Sequence, residues 1–369
     1  MEDDIRILFT HPYFWPYVVR GAEREIHDVG SRLVARGHDV TLLTTQPTGL
    51  TSKATRSGIK VRYVRVPHRR SHGPGDPLDQ TATFAALALA GSVLSRAELI
   101  HCWHYADAAA VIRRGRPAIT KITGSVTPEL MQRSPAHERL LERGLARVDE
   151  VWCNSEWARE QMSGFGREMS IVPAGVDRIR FQPVAERADR PTVLCTCAPD
   201  DPRKRLVDLI DAWPDVVAKV PDAELRVAGT VSPETQRALL GRLPDQVRGS
   251  VRLLGALEGD RIVTEYSMAW TSAMPAVLEA LGLSTLESLA CGTPVVGADS
   301  GNTPALLHDE QVGRTFEPTN PEALAQAIVD QLAASDQVDR DRCRAATDGF
   351  DWERIVDLTE AGYRRVAAS

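Results

Sequence analysis

At 369 residues the chain is too long for one ordinary hydrophobic core and suits two domains of roughly 150 to 180 residues, with a cleft expected between them. Its 43% hydrophobic and 25% charged residues, without any polar low-complexity tract, exclude intrinsic disorder as the main state. A net charge of −6, from 44 basic and 50 acidic side chains, excludes a global electrostatic footprint for nucleic acid, so any anion site must be local.

The chain opens on the acidic Met1-Glu2-Asp3-Asp4 and passes straight into the strand-like IRILFT (5–10), so no secretory leader and a cytoplasmic location are expected. A proline- and aromatic-rich loop follows (His11, Pro12, Tyr13, Phe14, Trp15, Pro16). After Gly21 comes a helical stretch with Ile26, Val29, Leu33 and Val34 on one face and Gly37 as its stop. DVTLLTT (39–45) is the next strand, and strand, helix, strand in this span make a βαβ unit. The alternation continues with strands at 61–67, 98–103, 117–123, 150–155 and 170–175 and helices at 81–95 and 135–146, a doubly wound pattern. The longest apolar run, 84–94, is far short of the roughly 20 residues that cross a bilayer and reads as a buried helix, so no transmembrane segment is expected. The basic stretch 64–75 is open to three roles: a solvated loop, a cover over a pocket together with 11–17, or a peripheral contact with an acidic membrane.

The polar, proline-bracketed 181–191 lacks periodicity and reads as an interdomain linker. A second series follows, with strands at 191–198, 223–229, 251–256, 267–273 and 293–299 and helices at 206–220, 233–243, 283–290 and 321–332. The expected fold class is α/β, two Rossmann-like domains facing each other across a cleft, with ligands at the carboxyl ends of the strands. The six cysteines sit mostly in apolar segments and read as core residues. Cys195 and Cys197 share a sheet face as C-x-C, and no second pair has metal-ligand spacing, so no metal site is expected.

The densest chemistry lies in VLEALGLSTLESLACGTPVVGADSGN (277–302). Glu279 and Glu287 stand eight apart across Gly282, and Leu283-Ser284 opens an apolar helix. Glu279 is thus expected in the loop at the helix's positive end and Glu287 one to two turns inside. Helix-terminal amides can hold diphosphate oxygens, and each carboxylate can accept from vicinal sugar hydroxyls, which suits a nucleotide sugar; a plain surface carboxylate pair has the same spacing. Pro202-Arg203-Lys204-Arg205 places three adjacent cations before a helix, a costly arrangement unless an anion neutralises them; the other reading is a solvated basic turn beside Asp200, Asp201 and Asp208.

The segment 277–302 resembles the E-x7-E signature of the retaining glycosyltransferases of the GT-B fold, the group 1/family 4 type. Gly21-Ala22-Glu23 resembles that family's Gly-Gly-x-Glu loop, and Arg36-Gly37-His38-Asp39-Val40 resembles its R-G-H-x-V turn. Residues 171–177 with Arg180-Phe181 resemble the segment that closes its first domain, and 312–325 its last strand and helix. Phe350-Asp351-Trp352 opens a terminal helix that in the family crosses back to the first domain. The resemblance covers nearly the whole chain.

It implies an acceptor-binding domain of 1–183 plus about 352–369, a linker of 184–190 and a nucleotide-sugar-binding domain of 191–351. It also implies a retaining, metal-independent transfer from a UDP or GDP type sugar to a hydroxyl acceptor of natural-product or cell-envelope glycan type, with no cofactor. By the same resemblance Glu287 binds the ribose and Glu279 faces the transferred sugar. Lys204 and Arg203 stabilise the leaving phosphate, Arg203 being the candidate for an arginine whose family position is Pro199. Gly21, Gly282, Leu283, Ser284 and Thr303 are further candidates to bind the nucleotide-sugar donor. The chain departs from the family at Arg205, where a glycine is usual, and at Gly124-Ser125, where a histidine is missing; His101, His104 and Lys121 are candidates to line that space. Two other classes stay open: a sugar-nucleotide epimerase or hydrolase, marked by turnover of donor alone, and an inactive sugar-nucleotide binding relative.

Overall fold

The computed structural model describes residues 4–18, 20–46, 51–65, 88, 91–93, 95–132, 135–257 and 259–368. The chain divides into two compact units, Met1–Ala174 with Trp352–Ser369, and Gly175–Asp351.

In the first unit β1 (Arg6–Thr10), α1 (Gly21–Ala35) and β2 (Asp39–Gln46) form the expected βαβ unit. They are followed by β3 (Ser52–Arg56), β4 (Ile59–Arg65), β5 (Leu99–Cys102), α2 (Tyr105–Ala110), β6 (Ala118–Ile122), α3 (Pro128–Gln132), α4 (Pro135–Ala146), β7 (Glu150–Cys153), α5 (Glu156–Gln161) and β8 (Met169–Ile171). The sheet runs β3-β4-β2-β1-β5-β6-β7-β8, parallel except for the β3–β4 hairpin. Its central strands are apolar on both faces, as a parallel sheet covered on both sides requires: Ile7, Leu8 and Phe9 of β1 and Leu99, Ile100 and Cys102 of β5 are buried. The helix expected over 81–95 is helical at 88 and 91–93; the rest of it up to 94 lies outside the described residues, as does the basic stretch beyond Arg65.

The second unit contains β9 (Thr192–Thr196), α6 (Leu206–Lys219), β10 (Glu224–Ala228), α7 (Pro233–Leu240), α8 (Asp245–Arg248), β11 (Val251–Gly255), α9 (Asp260–Met268), β12 (Thr271–Met274), α10 (Leu283–Ala290), β13 (Val295–Ala298), α11 (Thr303–Leu306), β14 (Gly313–Phe316), α12 (Pro321–Ala333) and α13 (Arg340–Ala345). Its sheet is β11-β10-β9-β12-β13-β14, and every pairing is parallel. Val193, Leu209, Trp213, Leu225, Val296 and Ile328 meet in one core.

The last helix, α14 (Trp352–Ala368), belongs to the first unit. Gly362 lets it approach the sheet, because a Cβ there would stand 2.3 Å from the Trp152 ring, and Tyr363 stacks on Trp152 with centroids 5.7 Å apart. The R-G-H turn is its clamp: Arg36 reaches Glu353 and Asp357 at 2.6 Å and Glu360 at 3.2 Å, and His38 lies 3.2 Å from Glu360.

Two expectations need correction. The passage between units falls after Ala174 rather than after 183, because 175–190 hydrogen-bonds within the second unit: Val176 N donates to Phe350 O, Val184 N to Ser267 Oγ and Ala188 N to Met268 O. The run 267–273 is not one strand. Ser267 and Met268 complete α9, the Ser267 hydroxyl donating to Val263 O one turn back at 2.8 Å, and β12 starts at Thr271.

Candidate active site

In an open parallel sheet the loops diverge at the carboxyl ends of the two strands where the order reverses. In the second unit these strands are β9 and β12, and their loops carry Lys204 and Glu279. Lys204 Nζ donates to Glu279 Oε1 at 2.5 Å, with the two side chains 27% and 24% exposed. The loops are also joined through the backbone, Val277 N donating to Arg203 O at 3.1 Å.

A third loop, after β13, fixes Glu279. Asn302 N donates to Glu279 O at 2.8 Å, and a Cβ on Gly301 would lie 2.4 Å from that oxygen and 2.6 Å from Glu279 N. With φ of +66° and this approach, position 301 requires glycine. Leu278 itself takes a φ of +56°, its N–H donating to Ser300 Oγ at 3.0 Å. Thr303 is buried, and an alanine at 297 would set its Cβ 2.5 Å from the Thr303 methyl.

The cationic turn is neutralised by its own neighbours, which corrects the expectation that an external anion is needed for all three charges. Arg203 is 59% exposed and pairs with Asp201 at 2.8 Å. Part burial would raise the Asp201 carboxyl, but the Arg203 N–H and guanidinium hold it below the usual carboxylate value. Arg205 forks onto Asp208 at 2.8 and 2.7 Å. Lys204 alone reaches across to another strand's loop. Arg205 adopts φ +51°, ψ +31°, so the left-handed turn that glycine serves in similar sequences is kept here by an arginine tied to Asp208.

Helix α10 starts from Gly282 in the left-handed region, φ +93°, with no side chain capping its first turn. The N–H groups of Leu283 and Ser284, both half-buried, are therefore among the orphan donors at its positive end. Glu287, the fifth residue, is buried, and its Oε2 accepts from the Tyr266 hydroxyl at 3.3 Å. No sequence motif marks Tyr266 itself; Ile262, Val263 and Tyr266 at helical spacing after Gly259 are the signal for its helix.

In the first unit the reversal lies between β1 and β5. Gly21 opens α1 and is exposed, while Glu23 accepts from Arg20 N at 2.9 Å and from its guanidinium at 3.0 Å, a helix-start role. His104 caps α2, accepting from Ala106 N at 3.2 Å; burial and neighbouring His11 hold it neutral, down to about 3. His101 and Lys121 do not line an open space. His101 is wholly buried, stacked on Trp103 and bonded to the Tyr363 hydroxyl at 2.8 Å, and burial pushes its pKa well down. Lys121, 1% exposed, forms an ion pair with buried Glu25; burial lowers the lysine and raises the glutamate, each opposed by the other's charge. Among the described residues no three His, Cys, Asp or Glu side chains are grouped to hold a metal ion, and no helix is long and apolar enough to cross a membrane.

Comparison with known proteins covers both units. The family profile described as Glycosyltransferase Family 4 matches residues 19–180, and that described as Glycosyl transferases group 1 matches 190–334. A phosphatidyl-myo-inositol mannosyltransferase of Mycobacterium tuberculosis is 30% identical over 264 residues, 68% of this chain and 67% of the relative. A glycogen synthase of the same species is 25% identical over 97% of this chain and 94% of its own. A GDP-mannose-dependent monoacylated alpha-(1-6)-phosphatidylinositol monomannoside mannosyltransferase of Corynebacterium glutamicum is 29% identical over 54% of this chain and 56% of its own. Among solved structures, sucrose-phosphate synthase of Thermosynechococcus elongatus superposes with a TM-score of 0.83 at 21% identity, covering 99% of this chain and 100% of that one. HepE of Anabaena in complex with UDP-glucose superposes at 0.76 and 18% identity, covering 97% and 100%.

Proposed function

We propose that this chain, which belongs to the group 1/family 4 glycosyltransferases and has their GT-B fold, moves a sugar from a nucleoside diphosphate sugar to a hydroxyl acceptor with retention at the anomeric carbon. The observation that carries this reading is the Lys204–Glu279 pair at the strand-order reversal of the second unit, in loops leading to a helix whose fifth residue is Glu287. The donor sits on the second unit: Glu287 takes the ribose hydroxyls, Glu279 faces the transferred sugar, and Lys204 with the Leu283 and Ser284 amides meets the diphosphate. Gly282 and Thr303 shape that anion site. The first unit takes the acceptor, of natural-product or cell-envelope glycan type. A donor of UDP or GDP type is supported by HepE, solved with UDP-glucose, and by the C. glutamicum relative, named for its dependence on GDP-mannose.

In the transfer step the acceptor oxygen bonds to the anomeric carbon on the face from which the diphosphate leaves. The bond from that carbon to the phosphate oxygen breaks, and the acceptor proton passes to the departing phosphate. Negative charge builds on that group, and preorganised positive charge aimed at it is the strongest lever available to the protein. Lys204 and the helix amides supply this charge, with Arg203 in reserve once it leaves Asp201, so transfer needs no metal and no cofactor. The test is incubation with UDP-glucose, GDP-mannose or ADP-glucose and simple hydroxyl acceptors in excess EDTA. A product with the donor's anomeric configuration, read by NMR, is expected; an inverted product, or transfer only after magnesium or manganese is added, contradicts the reading.

A further inference from the structure

The geometry points to Tyr266 as a positioning residue that orients Glu287 toward the ribose of a nucleoside diphosphate, through a hydroxyl relay that starts at Thr196. This rests on the donor-site reading of the second unit. Tyr266 lies on α9 and is wholly buried. Its hydroxyl is 2.7 Å from Thr196 Oγ1, at the end of β9, and 3.3 Å from Glu287 Oε2, on α10. An ionised carboxylate can only accept, so the tyrosine proton is directed at Glu287 and the Thr196 hydroxyl donates to Tyr266. The order Thr196, Tyr266, Glu287 is thereby set by chemistry as well as by distance.

The backbone at Tyr266 is anchored independently of its hydroxyl, and its ring is packed. Thr293 Oγ1 donates to Tyr266 O at 2.6 Å, and the hydroxyl of Ser288, next to Glu287 on α10, donates to Thr293 O at 3.0 Å. Phe181 meets the ring edge-on, with centroids 6.3 Å apart. Helix α9 is thus tied to α10 at the level of Glu287 by side chains that the tyrosine hydroxyl is not needed to hold. What the hydroxyl adds is direction for one carboxylate. At 3.3 Å the bond is longer than a strong O–H···O contact, so it sets the orientation of Glu287 more than it neutralises its charge. A phenylalanine would fill the same volume and remove this one bond to Glu287.

The test uses the full chain and UDP, GDP and ADP with their 2′-deoxy and 3′-deoxy counterparts, by calorimetry on wild type, Tyr266→Phe, Glu287→Gln and the double variant. Tyr266→Phe is expected to weaken the best-bound ribonucleotide about fivefold and to shrink its preference over the deoxy forms by a similar factor, with little added loss in the Glu287→Gln background. Thermal midpoints confirm that each variant is folded. Should Tyr266→Phe fail to fold, Thr196→Val removes the other end of the relay with a side chain of equal shape, and a smaller loss in the same direction is expected. An unchanged ribose-over-deoxy preference in the folded variant, or losses that simply add in the double variant, overturns the positioning role. Failure of the wild type to bind any of the three nucleotides, or Glu287→Gln binding as wild type does, overturns the donor-site reading itself and so is distinguishable.

Discussion

Lys204 Nζ and Glu279 Oε1 lie 2.5 Å apart, joining the loop after β9 to the loop after β12 across the reversal of strand order. A diphosphate that takes Lys204 therefore meets an ammonium already engaged by a carboxylate of the protein. Glu279 both holds the ammonium in place and competes for it.

Replacing Glu279 by glutamine removes the competitor and keeps the shape. Nucleoside diphosphate affinity should rise about fivefold, in line with the roughly 1 kcal/mol of a partly exposed ion pair, while transfer should fall if Glu279 faces the transferred sugar as proposed. Calorimetry with UDP and GDP alongside a transfer assay checks both; weaker nucleotide binding in Glu279→Gln contradicts the competition.

Lys204→Ala should lower kcat by about 10² or more with a smaller effect on donor KM, because the leaving phosphate gains charge only as the glycosidic bond breaks. Lys204→Arg should rescue poorly, since a planar fork does not occupy the space of a compact ammonium. Steady-state kinetics at saturating acceptor decide this: a defect confined to KM would leave Lys204 as an anchor only.

At position 205 glycine should be better tolerated than alanine, contrary to the usual order inside helices. Alanine keeps the left-handed backbone, at a cost of about 1 kcal/mol, and loses the fork to Asp208; glycine loses the same fork but relieves the backbone. Chemical denaturation of Arg205→Gly and Arg205→Ala tests the order, and equal or greater stability of the alanine variant contradicts it.

Burial keeps His101 neutral in the folded chain, with the nearby Lys121 charge acting in the same direction. In the unfolded chain the imidazole titrates near about 6.5, so below that pH the unfolded state binds the extra proton. Stability is full above this value and is lost as pH falls below it, by up to about 1.4 kcal/mol per pH unit until the folded group titrates. Denaturation at pH 7.5 and 5.5 should show a smaller loss for His101→Gln than for wild type; equal losses contradict the assignment.

Much of this architecture is legible in residue order, because parallel strands covered on both faces are written as short apolar runs such as IRILF and TVLC, and their helices as apolar stripes ended by glycine. The hairpin strand Ser52–Arg56 is not legible in this way, since SKATR is an edge strand with no apolar face. The spacing of Glu279 and Glu287 marks the candidate site, but Tyr266 stays hidden because its helix runs through the apolar Met268-Ala269-Trp270 straight into β12. The basic turn misleads for a related reason: whether Arg203 faces a ligand or Asp201 depends on a side-chain conformation that spacing does not determine. The buried pair of Lys121 and Glu25, 96 residues apart, is set by tertiary packing alone.

A nucleoside diphosphate site built around Glu287 and Lys204 would show itself in thermal unfolding with UDP, GDP, ADP and TDP and their sugars, on wild type and Glu287→Ala. One nucleotide should stabilise the wild type, by about 2.7 kcal/mol at 100 times its dissociation constant, and the folded variant should need about tenfold more of it for the same shift. No stabilisation of the wild type by any of these nucleotides, or equal stabilisation of Glu287→Ala, would contradict a nucleotide site at these residues.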